Sequence, residues 1–254
     1  MDLHVNISAA HLDCPLVIRI SYLEQFFLSS IDKLNEMKKI LRNNGLSIVF
    51  LMLFVVSLVG QVFTGLQQHN EEMKDEGGQQ VGLGAYLTSG HFLQATFENW
   101  ESEFLQMALF VWFSMFLYQK GSSESKDPEG ENEVDKEPDP SKKDAPWPVK
   151  KGGLVLSIYK HSLCYTLLFI FLISFLLHWY GSMKDYNEEQ LLKGKPTETA
   201  MEYLGNSRLW FESFQNWESE FISIFAMVTL SIFLRQKGSP QSKPVDAADS
   251  ETEG

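Results

Sequence analysis

The chain has little of what usually announces chemistry. Its two cysteines, Cys14 and Cys164, lie 150 residues apart and form no CxxC pair. Neither a disulfide framework nor a thiolate metal site is expected from them. HExxH, GxSxG and phosphate-loop patterns are absent. "GLGAY" at Gly82–Tyr86 lacks the third glycine and the preceding strand of a dinucleotide fingerprint. No catalytic residue, metal or cofactor is therefore expected, and an enzyme ranks last among the function classes. Basic residues are also in deficit, 21 against 33 acidic, for a formal charge of −12. Such a surface repels nucleic acid.

What the chain does have is long apolar runs. "LSIVFLMLFVVSLVGQVFTGL" (46–66) is uncharged over 21 residues, and "LCYTLLFIFLISFLLHWY" (163–180) is interrupted only by His178. About 20 apolar helical residues cross a hydrocarbon core of about 30 Å. Neither run has a polar face, which argues against a half-buried helix of a soluble protein. Two shorter runs, 104–118 and 221–234, reach spanning length only when extended back through "FENWESEF" (97–104) and "FQNWESEF" (214–221). Four transmembrane helices are expected, at 46–66, 97–118, 163–180 and 214–234.

The two octapeptides belong to a longer recurrence. Trp217 follows Trp100 by 117 residues. The same offset links Asn70-Glu71-Glu72 to Asn187-Glu188-Glu189, Tyr86-Leu87 to Tyr203-Leu204, and the "QKGS" at Gln119 to that at Gln236. Each copy reads as one hairpin. Two crossings per copy give both copies the same orientation. The expected fold is an all-α membrane protein of two parallel hairpin repeats, related by a pseudo-two-fold along the membrane normal. Lys38, Lys39 and Arg42 precede the first span, Lys120 and Lys126 follow the second, Lys150, Lys151 and Lys160 precede the third, and Arg235 and Lys237 follow the fourth. This distribution places both termini and the central linker in the cytoplasm.

The expected domains are a hairpin at 37–120, an acidic disordered linker at 121–153, a second hairpin at 154–237 and a disordered tail at 238–254. Residues 1–36 form an extension outside the repeat. "MKKILRNNG" from Met37 reads as a natural beginning, so Met1 and Met37 are alternative starts. A cleaved signal peptide at the first span is disfavoured because no small-residue cleavage site follows and the equivalent span sits mid-chain.

"RNNGLS", "HNEE" and "YNEE", "SGHFLQATFENWESEFLQMALF", "WFESFQNWESEF" and "LSIFLRQKGSPQSKPV" carry a likeness to a known group. On these motifs, from Met37 to Val245, the chain resembles a bacterial four-span integral membrane family catalogued only as a domain of unknown function. The resemblance implies a multi-pass protein of the bacterial inner membrane. It implies no activity, substrate or catalytic residue.

At 100° per residue, Phe97, Trp100 and Phe104 fall within about 60° of one another, while Glu101 and Glu103 lie about 160° apart. Two glutamates so disposed cannot act as a pair on one atom. Asn99 and Glu103 head a polar stripe continued by Gln106 and Ser114, as Asn216 and Glu220 do in the second copy. Ser57 and Gln61 share a face of the first span, matched by Ser174 and His178 in the third. Pairing within each hairpin, Glu103 with Gln61 and Glu220 with His178, would make a proton or cation site in the outer third of the membrane. The alternative makes Phe97, Trp100, Phe214 and Trp217 an interfacial aromatic belt, with the glutamates reaching water. His69 and His91 are expected to be solvated. Two functions follow: a non-catalytic structural or interaction role, and a small proton- or cation-coupled transporter or channel. The lipid bilayer is the expected partner, with a homo-oligomer or another membrane protein left open.

Overall fold

The computed structural model describes Pro15 to Thr252, with side chains from Leu28 onward. Cys14, the first residues of the 1–36 extension and residues 253–254 of the expected tail lie outside the described residues. The described residues are all-helical, without a strand. They form α1 (Pro15–Asp75), α2 (Leu83–Tyr86), α3 (Gly90–Phe113), α4 (Trp147–Lys151), α5 (Gly153–Lys160), α6 (Ser162–Leu192), α7 (Ala200–Tyr203) and α8 (Ser207–Phe233). The chain divides into two compact units, the boundary falling after Phe63.

The first unit is helical from Pro15. Its apolar stretch holds many large side chains exposed, among them Leu46 at 75 % and Val56 at 70 %. The helix stops at Asp75 where Gly77 takes a positive φ of 77°, as α6 stops at Leu192 before Gly194 at 65°. Only glycine enters that backbone region without strain.

In the second unit, α3 lies along α6, with α8 against α3. The two main helices cross at glycine. A Cβ on Gly181 would stand 2.5 Å from the Gln94 amide nitrogen and 2.7 Å from the Leu93 Cβ, and one on Gly90 would meet the Gly181 carbonyl at 2.8 Å. No larger residue permits this backbone approach. Each loop beyond the helix ends is clipped in the same way. Asn70 donates to the Val81 carbonyl (3.0 Å) and accepts from its amide (2.7 Å). Asn187 makes the same two bonds with Glu198, both at 2.8 Å. These asparagines clamp the loops back onto the helix ends.

The four-span expectation meets a coarser result. Among the described residues, two helices, α1 and α6, are long and apolar enough to cross a membrane. In α3 and α8 the glutamates of the octapeptides interrupt the apolar run. The helices are also shifted from the expected spans: α3 begins at Gly90 and ends at Phe113, and α8 begins at Ser207.

Residues 121–153 and the tail carry a side-chain-to-backbone network. The Gln119 and Gln236 amides each donate to a serine hydroxyl six residues on, Ser125 and Ser242, at 2.8 Å. Lys243 is buried, and its ammonium donates to the carbonyls of Ala248, Asp249 and Glu251 at 2.9–3.1 Å. Ser122 and Ser231 share a buried hydroxyl–hydroxyl bond of 2.9 Å. Serine hydroxyls and the lysine ammonium satisfy backbone groups here in place of a hydrophobic core.

Candidate functional site

The polarity of the second unit is inverted. Glu101, Ser102 and Gln106 of α3 are buried, as are Ser174, His178, Ser182 and Asp185 of α6 and Ser213 and Ser231 of α8. Phe169, Phe211, Phe214, Phe225 and Phe233 are exposed. At the centre sits His178, wholly buried. Its Nδ1 is 2.6 Å from Glu101 Oε2 and its Nε2 is 3.1 Å from Glu212 Oε2. Glu101 is also wholly buried, and its other oxygen accepts from the Trp217 indole N–H at 3.1 Å. Glu212 Oε2 accepts from the Ser182 hydroxyl at 2.6 Å. Glu98, held by the Gln94 amide, brings a third carboxylate within 4.8 Å of the ligand atoms of His178 and Glu212.

A neutral imidazole donates from one nitrogen only, and an ionised carboxylate only accepts. Carboxyl groups on both ring nitrogens therefore call for an added proton, on the ring or on one carboxyl, or for a cation in place of one hydrogen bond. Burial without one would leave like charges facing each other in a medium of low dielectric.

Outward from this centre runs a charged network. Arg208 donates to Glu212 (3.0 Å), Glu189 (2.7 Å) and Asp185 (2.6 Å). Burial works against its charge, but the surrounding carboxylates outweigh it and hold the guanidinium protonated above the ordinary arginine range. Burial raises Glu189, yet the hydrogen bond and charge of Arg208, with Lys193, bring that carboxyl below its usual value. The Tyr203 phenol, bonded to Ser182 at 2.7 Å, is pushed by burial up to about 12. Arg208, Asp185 and Glu189 line a cavity of about 300 Å³ together with His69, Glu72 and His91. His69 is buried there, 5.2 Å from the His91 ring and 5.8 Å from Tyr86, rather than solvated.

A family model described as a domain of unknown function (DUF6766) matches residues 37–254. The chain belongs to that family. No curated protein and no solved structure matches it.

In this DUF6766 chain the expected site residues are divided. His178 is at the centre. Glu220 is half-buried but takes neither ring nitrogen, so the expected Glu220–His178 pair is replaced by Glu101 and Glu212. Glu103 and Asn99 are exposed, the latter donating to its own helix at the Ala95 carbonyl. Asn216 does likewise to Glu212. Gln61 is half-buried on α1, in the first unit. Among the aromatic anchors, Phe97 meets Trp100 and Phe214 meets Trp217, both edge-on at 5.4 Å. Trp217 is also a donor to the centre, a role beyond the expected belt. The reason for the shift is the packing direction of α3. The α3–α6 crossing at Gly90 and Gly181 turns Glu101 inward, and Glu103, about 160° around the helix, outward.

Glu98, Glu101, Glu212 and Arg208 were missed. Their equivalents 117 residues away are Gln215, Glu218, Ala95 and His91, and His178 answers to Gln61. For Glu98, Glu212 and Arg208 the available signal was charge appearing where the two stretches differ; Glu101, matched by Glu218, offered none.

Proposed function

We propose that this chain is a multi-pass, non-catalytic membrane protein that holds a proton or small cation at the His178 centre. The observation that carries the reading is a fully buried imidazole with carboxylates on both nitrogens. The inverted polarity supports a lipid surrounding, since exposed phenylalanines are favourable against acyl chains and costly in water. The proposed topology has four spans in two duplicated hairpins, with termini and linker on the cytoplasmic side of a bacterial inner membrane. At 1.5 Å per residue α3 and α8 are about 36 and 40 Å long, sufficient for a core of about 30 Å, with Glu101 near the middle of α3 and Glu212 near the start of α8. The three-helix polar network and the cavity beside Arg208 suit movement of the bound charge.

The test is proton and monovalent-cation flux in proteoliposomes, wild type against Glu101→Gln and Glu212→Gln. Flux that falls at least tenfold in both variants supports the reading. Absence of wild-type flux under every imposed gradient rejects transport. It would then favour a second reading, in which the centre is a clamp: Glu101, His178 and Trp217 join α3, α6 and α8 through two hydrogen bonds.

A further inference from the structure

We propose that Glu98, His178 and Glu212 bind one divalent first-row transition-metal ion, of the zinc, manganese or ferrous class. This inference rests on the cation-handling reading and names the cation. One ligand atom from each of the three residues lies within 4.8 Å of the others. The 3.1 Å between His178 Nε2 and Glu212 Oε2 is the decisive distance. Two ligand atoms each about 2.0–2.2 Å from one metal, at tetrahedral or octahedral angles, stand about 2.9–3.5 Å apart. An ion can thus replace that hydrogen bond with little movement of either side chain.

The surroundings match what a metal-bound histidine needs. A ligating imidazole ordinarily donates its other N–H to a carboxylate, which fixes the tautomer and turns the free lone pair to the metal. Glu101 is that carboxylate, at 2.6 Å from Nδ1, and it is anchored in turn by Trp217. Glu212 is oriented by Ser182 and Arg208, and Glu98 by Gln94 at 2.5 Å. Three helices each supply one ligand, as facing helices of a bundle do in carboxylate-rich metal sites. One nitrogen and two carboxylates suit these borderline ions better than a thiolate-seeking metal. Glu98, Glu101 and Glu212 bring three carboxyl groups to the centre, while Arg208 divides its charge among three acids. Carboxylates of this kind offset the charge of a buried divalent ion that would otherwise stand unpaired.

The test uses the full chain in detergent, stripped with chelator and then dialysed against micromolar Zn²⁺, Mn²⁺ or Co²⁺, with Mg²⁺ and Ca²⁺ as separate arms. About one equivalent per chain is expected for the first three, with a visible Co²⁺ band and a nitrogen ligand in X-ray absorption. Addition of metal should raise the thermal midpoint and EDTA should reverse the rise. Glu98→Gln and His178→Gln should each weaken binding at least tenfold. Glu101→Gln, acting through His178, should weaken it about 10- to 100-fold, and Glu218→Gln should leave it unchanged. Wild type that retains no metal, or holds it without a nitrogen ligand, overturns the inference even if the variants fail to fold. Stoichiometric metal without any flux supports this inference and rejects transport. Flux dependent on Glu101 without metal binding overturns this inference and leaves the cation-handling reading standing.

Discussion

At the scale of single residues, Glu101 and Glu218 occupy equivalent places in two nearly identical octapeptides and have opposite environments. Glu101 is wholly buried between His178 and Trp217, whereas Glu218 is exposed. Removing one member of a buried pair strands the other, at about 3–5 kcal/mol. Glu101→Ala should lower unfolding stability in detergent by that order, and Glu218→Ala by no more than about 0.5 kcal/mol. Equal effects would contradict the burial. A second residue-level expectation concerns acid. The Glu189 carboxyl lies below its ordinary value in the folded chain, so the folded state favours its ionised form. That contribution is present above the unfolded value of about 4.3 and lost as pH falls through the lower folded value. Thermal midpoints measured from pH 7 to pH 3 should fall less steeply through the acid range in Glu189→Gln than in wild type.

Helices meet through their smallest residues, and at the element scale this governs where the site forms. Gly181 touches the α3 backbone, while a Cβ on Gly60, inside α1, would meet nothing within 4 Å. Gly181→Ala should destabilise by about 1–3 kcal/mol through overpacking. Gly60→Ala should be neutral or stabilising by up to about 1 kcal/mol, because alanine loses less conformational freedom in a helix. Thermal midpoints of the two variants check the contrast. The crossing also brings the two helices close enough for the Glu101 carboxylate to reach the His178 ring across the interface, at 2.6 Å. Periodicity supplies angles around one helix axis, but it does not say which angle faces the neighbour. The packing divides the polar stripe headed by Asn99 and Glu103: those two residues are exposed, whereas Gln106 of the same stripe is buried.

Over the whole molecule, polar groups gather inside the second unit and large apolar side chains point out. The proposed four-span topology makes a direct prediction. In a variant with Cys14 and Cys164 replaced by serine, single cysteines at Glu76 or Lys195 should react with an impermeant thiol reagent added outside intact cells. Cysteines at Ser141 or Ser239 should react only after permeabilisation. The reverse labelling of either loop pair would reject the topology. The sequence was sufficient for the helical class, the apolar runs at 46–66 and 163–180, and the 117-residue recurrence, because these depend on composition and local periodicity. The His178 centre was not legible in the same way. The repeat drew attention to Glu103 and Glu220, where the copies agree, whereas the centre uses Glu98, His178 and Glu212, where they differ. Burial of a charge is set by what the neighbouring helix offers at the crossing. Glu101 has His178 and Trp217 opposite it, contacts distant in the chain that come together only when α3, α6 and α8 pack.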